Sequence, residues 1–136
     1  MLVASGLAVS ACGSSSRGAS ASRPPAPINV PVYVDDSRVS ISPAEVGAGA
    51  VQLVITNQAI RSESLAVLPP GSSGGQALAT TGPISPQATA QMTVNLSSPG
   101  DYSVSASDAG SGSSIRSATL HVGRSRASSN GQLLQP

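Results

Sequence analysis

The alternation of apolar and polar residues is the feature of this 136-residue sequence that most restricts its fold. Between residues 28 and 122, seven short segments place apolar residues at every second position, which is the pattern of half-buried β-strands. Turns rich in Gly, Pro and Ser separate these segments, and no stretch shows helical periodicity of comparable quality. The expected inward residues, segment by segment, are Val30, Val32 and Val34; Val39 and Ile41; Val51, Leu53 and Ile55; Leu65 and Val67; Ala90, Met92, Val94 and Leu96; Tyr102, Val104 and Ala106; and Ala118, Leu120 and Val122. The sequence therefore predicts an all-β fold, a small Greek-key β-sandwich.

The regular pattern occupies residues 28–123, which we expect to form one domain. Residues 12–27 are rich in Ser, Ala and Pro and are interpreted as a disordered linker. Residues 124–136 lose the alternation and are expected to form a disordered tail. Within the domain, the stretch from Pro69 to Pro86 is expected to cross between the two sheets. The core must consist of aliphatic residues because the chain contains no Phe or Trp.

The N-terminus carries the pattern of a secretion signal. Residues 2–11 form an apolar run of ten residues, about half the length that a bilayer-spanning helix needs. The run ends in Val9-Ser10-Ala11-Cys12, which resembles the bacterial lipobox. This resemblance implies that residues 1–11 are cleaved and that Cys12 is acylated, which anchors the protein to the cell membrane on its extracytoplasmic side. A buried cysteine at the end of an N-terminal strand is the alternative, and the linker that follows argues against it.

Three stretches of the predicted domain resemble the cupredoxin superfamily, in particular the cupredoxin-like domains of bacterial exported proteins. They are VSISPAEVGAGAVQLVITN at residues 39–57, TGPISPQATAQMTVNL at 81–96, and the corner Pro99-Gly100-Asp101-Tyr102. An immunoglobulin-like sandwich is the alternative, because that fold shares the tyrosine corner.

The resemblance also implies where a copper site would lie. Active members bind copper through two His, one Cys and a weak axial Met. In this chain, Glu63 stands at the place of the first His, six residues after Asn57, and Ala106 stands at the place of the Cys. The loop SDAGSGSS at 107–114 contains neither His nor Met. We therefore expect no blue-copper site and no cofactor.

The remaining candidate residues favour structural interpretations. His121 is the single histidine and is expected on the outward face of its strand, without a partner within that strand.

The GSSGG at 71–75 has the letters of a nucleophile elbow around Ser73, but no strand before it and no helix after it, so we interpret it as a loop and expect no enzyme activity. The Asp35-Asp36 pair predicts a turn. Glu63 and Asp108 are weak candidates for a hard-ion site at the loop end.

The seven Arg residues are scattered and the formal charge is only +1, which argues against binding to nucleic acid. We expect a non-enzymatic binding or structural module. The lipid on Cys12 would attach it to the membrane, and its further partner would be another envelope protein or a cell-wall polymer. The alternative is a metal-handling or electron-transfer protein with a degenerate site at Glu63, Asp108 and His121.

The anchor can be tested by Cys12→Ser. We expect the substitution to abolish metabolic labelling with a radioactive fatty acid and to release the protein from the membrane fraction, because the thiol that carries the acyl chains is gone. Labelling that survives the substitution would contradict the assignment.

Overall fold

The protein is described by a computed structural model over residues 24–72, 75–108 and 115–127. This part of the chain forms eight β-strands and confirms the all-β sandwich. The strands are β1 (Ile28–Val34), β2 (Val39–Ile41), β3 (Glu45–Asn57), β4 (Glu63–Leu68), β5 (Ala79–Thr80), β6 (Thr89–Leu96), β7 (Gly100–Asp108) and β8 (Ala118–Ser125). No helix with the length and hydropathy of a membrane span occurs in these ranges.

The 13-residue strand β3 belongs to both sheets of the sandwich. Its first part, residues 45–48, pairs in parallel with β8, in the sheet that continues through β7 and β4 to β5. Its second part pairs antiparallel with β6 and in parallel with β1, whose outer neighbour is β2. The stretch from Pro69 to Pro86 leads from β4 in one sheet towards β6 in the other, as the sequence predicts.

The core lies between the sheets and is aliphatic. Every residue expected to point inward is buried or half-buried. The largest fully buried apolar side chains are Leu53, Ile55, Leu65, Leu96 and Leu120. Tyr102 is buried as well, and its hydroxyl donates a hydrogen bond to the carbonyl oxygen of Ser98 at 2.9 Å, which forms the predicted tyrosine corner.

Three features of the sheets differ from the sequence prediction. β3 begins at Glu45, six residues before Val51, the first inward residue that the alternation predicts for this segment, and the two-residue strand β5 lies inside the predicted crossover. β8 continues to Ser125, so the regular structure extends two residues beyond the expected boundary at residue 123. The extension, Arg124 and Ser125, has no apolar side chain, and main-chain pairing of Ser125 with Ala48 of β3 holds it in place. Residues 128–136 of the expected tail lie outside the described ranges.

Arg126 connects the end of β8 to the beginning of the domain. Its main-chain N–H donates to the carbonyl oxygen of Ala48 at 3.1 Å. Its guanidinium donates to the carbonyl oxygen of Ala26 at 2.8 Å and to that of Ala50. Gly49, with φ of +139°, makes room for this group, because a Cβ there would lie 2.8 Å from Arg126 Nη2. The place where β3 passes from one sheet to the other is thus held by both the guanidinium and the main-chain N–H of Arg126.

We therefore expect Arg126→Ala to lower the free energy of unfolding by about 2 kcal/mol, the usual size for hydrogen bonds from a charged group. The matched control is Arg124→Ala near the end of β8, two residues before Arg126, where the side chain is exposed. That change should stay within about 0.5 kcal/mol of the parent protein. Urea denaturation of both variants makes the comparison, and equal effects would show that the guanidinium contacts do not stabilise the fold.

Candidate functional site

The loop that follows β3 is organised by the buried side chain of Asn57. The Nδ2 atom donates to the carbonyl oxygens of Arg61 at 2.7 Å and of Ile84 at 2.8 Å, while Oδ1 accepts from the N–H of Ala59 at 2.9 Å. The side chain has no exposed surface. A buried amide that makes three hydrogen bonds supports the loop, because each bond would be lost if the loop moved.

A second set of contacts ties the same loop to the turn after β1. The N–H of Gln58 donates to the carbonyl oxygen of Val34 at 2.7 Å, and the N–H of Ile60 donates to Asp36 Oδ1 at 3.0 Å. Residues 57–62 are therefore held by the turn after β1 on one side and, through Asn57, by the crossover on the other.

The turn itself is built by Asp35, as the sequence predicts. Asp35 Oδ1 accepts hydrogen bonds from the N–H and hydroxyl of Ser37, at 2.8 and 2.6 Å, and from the N–H of Arg38 at 2.9 Å. The hydroxyl of Ser37, followed by these two N–H groups, lowers the pKa of the Asp35 carboxyl, since all of them stabilise its ionised form.

Glu63 and Asp108 meet at this end of the sandwich, as expected. Glu63 opens β4 and lies directly opposite Asp108, the last residue of β7. The main chain of Glu63 is fixed by two hydrogen bonds with Ile84, at 3.1 and 2.9 Å. Only 4% of the residue is exposed, and the buried atom Oε2 has no hydrogen-bond partner. Glu63 is therefore a buried carboxyl group that the fold leaves partly unsatisfied.

A cavity of about 350 Å³ opens beside this carboxyl group. Arg61 Nη1 lies 3.0 Å from Asp108 Oδ2 and forms an ion pair with it. Ile60 is 78% exposed and stands at the outer edge, whereas Ile115 is buried. The cavity is thus acidic with two aliphatic walls, and its lining consists of Asp36, Ile60, Arg61, Glu63, Asp108 and Ile115.

The surroundings of Glu63 disfavour its ionised form. Desolvation raises the pKa of the Glu63 carboxyl, and the negative charges of Asp108 and Asp36 raise it further. The guanidinium of Arg61 acts in the opposite direction with a smaller effect.

His121 does not belong to this site. It lies opposite Asp101 at the beginning of β7, whereas Glu63 lies opposite Asp108, seven residues further along that strand. Seven residues of extended chain span about 23 Å. The side chain of His121 is outward and exposed, as expected, and its partner lies on the neighbouring strand β7, where Asp101 Oδ1 is 2.6 Å from His121 Nδ1. The expectation that His121 could join Glu63 and Asp108 around a metal is therefore wrong.

The donors at the cavity have the wrong chemistry for copper of the cupredoxin type. Carboxylate oxygens are hard ligands, and the soft trigonal site requires imidazole and thiolate. Ala106, at the place of the Cys, is buried and contributes a methyl group, and Met92 is buried in β6. In the part of the chain that the structure describes, no three His, Cys, Asp or Glu residues are grouped so that they could hold a metal ion.

Several predicted residues lie outside the described ranges. These are Cys12 with its lipobox, Ser73 of the candidate elbow, and positions 109–114 of the loop at the place of the second His. Next to the elbow, the hydroxyl of Ser72 donates to the carbonyl oxygen of Pro69 at 2.8 Å, a contact within the loop.

Two important contacts were missed by sequence reasoning. The alternation places residue 57 inward with Val51, Leu53 and Ile55, which signals that Asn57 is buried, but the signal does not give its partners. The contact between Asp101 and His121 depends on the register of β7 and β8, which a single sequence does not reveal.

Comparison with known proteins supports the fold. No family model and no curated protein matches the chain. Among solved structures, the chain is similar to dithionite-reduced auracyanin from the photosynthetic bacterium Roseiflexus castenholzii, with a TM-score of 0.54 and 12% sequence identity. The match covers 72% of this chain and 98% of the auracyanin, which is a cupredoxin. The domain therefore has a cupredoxin-like fold, and the immunoglobulin-like alternative is set aside.

The burial of Glu63 predicts a pH dependence of stability. Because its pKa in the folded protein lies above the ordinary glutamate value of 4.5, the folded state holds a proton that the unfolded state has lost. Glu63 thus makes the free energy of unfolding fall as the pH rises from 4.5 through the raised pKa. We expect Glu63→Gln to remove this decline, so that the variant gains stability relative to the parent as the pH rises to 8, because a glutamine amide does not titrate.

Urea titrations of the parent and variant proteins between about pH 4 and 8 measure this difference. Glu45→Gln is the matched control, because Glu45 is exposed at the beginning of β3. A difference between parent and Glu63→Gln that stays constant with pH would show that Glu63 titrates normally.

Proposed function

We propose that this chain is a membrane-anchored lipoprotein on the extracytoplasmic side, whose cupredoxin-like domain is a non-enzymatic binding or structural module without a copper site. The anchor is supported by the resemblance of residues 9–12 to the lipobox. The proposal that the domain has no copper site is supported by the carboxylate oxygens at the loop end, which are hard ligands. The observation that carries the binding role is the cavity built around the buried carboxyl of Glu63.

The direction of the strands supports this role. β1 begins at Ile28, next to the expected linker, and ends at Val34, next to the turn that borders the cavity. Seven residues of strand separate these ends by about 20 Å. A tether at the start of β1 would therefore be attached about 20 Å from the cavity and would leave the cavity accessible to envelope components. We further propose that the Ser-, Ala- and Pro-rich residues 12–27 act as a flexible linker, which would add a reach of roughly 20 Å.

The position of His121 supports a role without catalysis. Within the described ranges, the cavity has carboxyl groups and a guanidinium but no imidazole, because His121 lies at the tethered end. A nucleophile activated by an adjacent histidine would need both groups within hydrogen-bond distance.

Metal handling is the second candidate, favoured by the meeting of Glu63 and Asp108 across β4 and β7. Titration of the purified protein with copper and iron separates the two functions. We expect no stoichiometric copper binding and no intense visible absorption, because thiolate and imidazole ligands are missing from the cavity lining. Binding tighter than about 10 μM at one site, abolished by Glu63→Ala, would establish the metal-handling function instead.

A further inference from the structure

We propose that the loop-end cavity binds a primary alkylammonium group, with Glu63 as its anionic partner. The inference rests on the proposed function as a binding module and names the class of ligand. It depends on three observations, which are the unsatisfied carboxyl group, the balance of charge in the cavity and the nature of its walls.

The unsatisfied group is Glu63 Oε2, which is buried without a hydrogen-bond partner although the main chain of the residue is fully engaged with Ile84. A buried polar group of this kind is costly unless something donates to it. The terminal torsion of a glutamate side chain is broad and roughly two-fold. Rotation of the carboxyl group therefore exchanges its two oxygens and turns either of them towards a ligand in the cavity that Glu63 lines.

The balance of charge favours a cation. Three carboxyl groups line the cavity, from Asp36, Glu63 and Asp108, and Arg61 is the one cationic residue among its described lining. The guanidinium of Arg61 lies on Asp108, and Asp36 accepts from the N–H of Ile60. Glu63 is thus the carboxyl group that an incoming cation would neutralise.

An ammonium group fits this site better than a metal ion does. Calcium and similar ions require six or more oxygen ligands that converge on one point. The described residues provide no such group, and Asp108 is already in contact with Arg61. An ammonium has three N–H donors and no fixed coordination geometry, so that one carboxylate and nearby oxygens suffice.

The aliphatic side chains that line the cavity favour a ligand in which the ammonium group is carried on an alkyl chain. Ile60 and Ile115 face the same cavity and provide apolar surface for methylene groups, while the ammonium meets the carboxylate. No aromatic residue belongs to the described lining, so a quaternary ammonium would find no aromatic cage. The cavity of about 350 Å³ is near the lower limit for ligand pockets, which suits a short chain.

The test is isothermal titration of the full chain, solubilised in a nonionic detergent, at pH 8. The probes are n-butylammonium chloride, Nα-acetyl-lysine amide, n-butyltrimethylammonium chloride and calcium chloride. We expect saturable one-to-one binding of n-butylammonium and at least tenfold weaker binding of the trimethyl analogue, which has no N–H donors. The lysine derivative mimics a lysine side chain of a partner protein, whereas n-butylammonium mimics a free small amine. If the lysine derivative binds as tightly as n-butylammonium or more tightly, the ligand is a lysine side chain of a partner protein.

The variants are Glu63→Gln and the control Glu45→Gln, which lies at the other end of β3. Glu63→Gln should weaken binding of n-butylammonium at least tenfold, the size expected for a charge-assisted hydrogen bond, and Glu45→Gln should change it less than twofold. Glu63→Asp, which keeps the charge but draws it back by one methylene group, should give an intermediate affinity. Circular dichroism of each variant verifies that it is folded.

Binding that does not saturate, an equal effect of both glutamine variants, or tighter binding of calcium than of n-butylammonium would overturn the proposal. The proposed function fails by different results, namely stoichiometric copper or the absence of acylation. The two failures are therefore distinguishable.

Discussion

The loop end of this protein depends on the hydrogen bonds of the Asn57 carboxamide. This side chain lies at the end of the strand that both sheets share, and it ties the following loop to the crossover at Ile84. Ile84 in turn fixes the main chain of Glu63. A satisfied buried amide therefore determines where an unsatisfied buried carboxyl group stands. Buried polar groups are tolerated when they are paired, and among the described residues only Glu63 Oε2 and Arg126 Nε are buried without a hydrogen-bond partner. The other guanidinium nitrogens of Arg126 are hydrogen-bonded, so the unpaired carboxyl oxygen of Glu63 is the one that requires a functional explanation.

The two ends of β3 have different roles. Near its beginning, Arg126 and Gly49 fix the point where the strand passes between the sheets, and the same guanidinium contacts the segment that enters the domain at Ala26. At its other end, Asn57 builds the cavity. With the proposed tether attached before Ile28, the tether and the cavity lie at opposite ends of the sandwich. The cupredoxin-like scaffold permits this separation but does not choose the ligand.

Side-chain periodicity explains how much of the fold was predictable. Val94 and Leu120 alternate with polar neighbours, so their burial follows from the sequence, as does that of Tyr102. Main-chain pairing without apolar side chains leaves no such signal, which is why β5 and the end of β8 were missed. The approach of Glu63 to Asp108 was expected from the cupredoxin resemblance, whereas the partners of Asn57 and His121 depend on loop geometry and strand register. Acylation of Cys12 stays a prediction.

The most direct test of the account is the pKa of Glu63, measured by nuclear magnetic resonance from the chemical shift of its carboxyl carbon as the pH is varied. Burial of the carboxyl group next to Asp108 and Asp36, with Oε2 lacking a hydrogen-bond partner, predicts a value above the ordinary 4.5. A value at or below 4.5 would mean that the carboxyl group is solvated or already paired, and the cavity would then have no unsatisfied group for a ligand to meet.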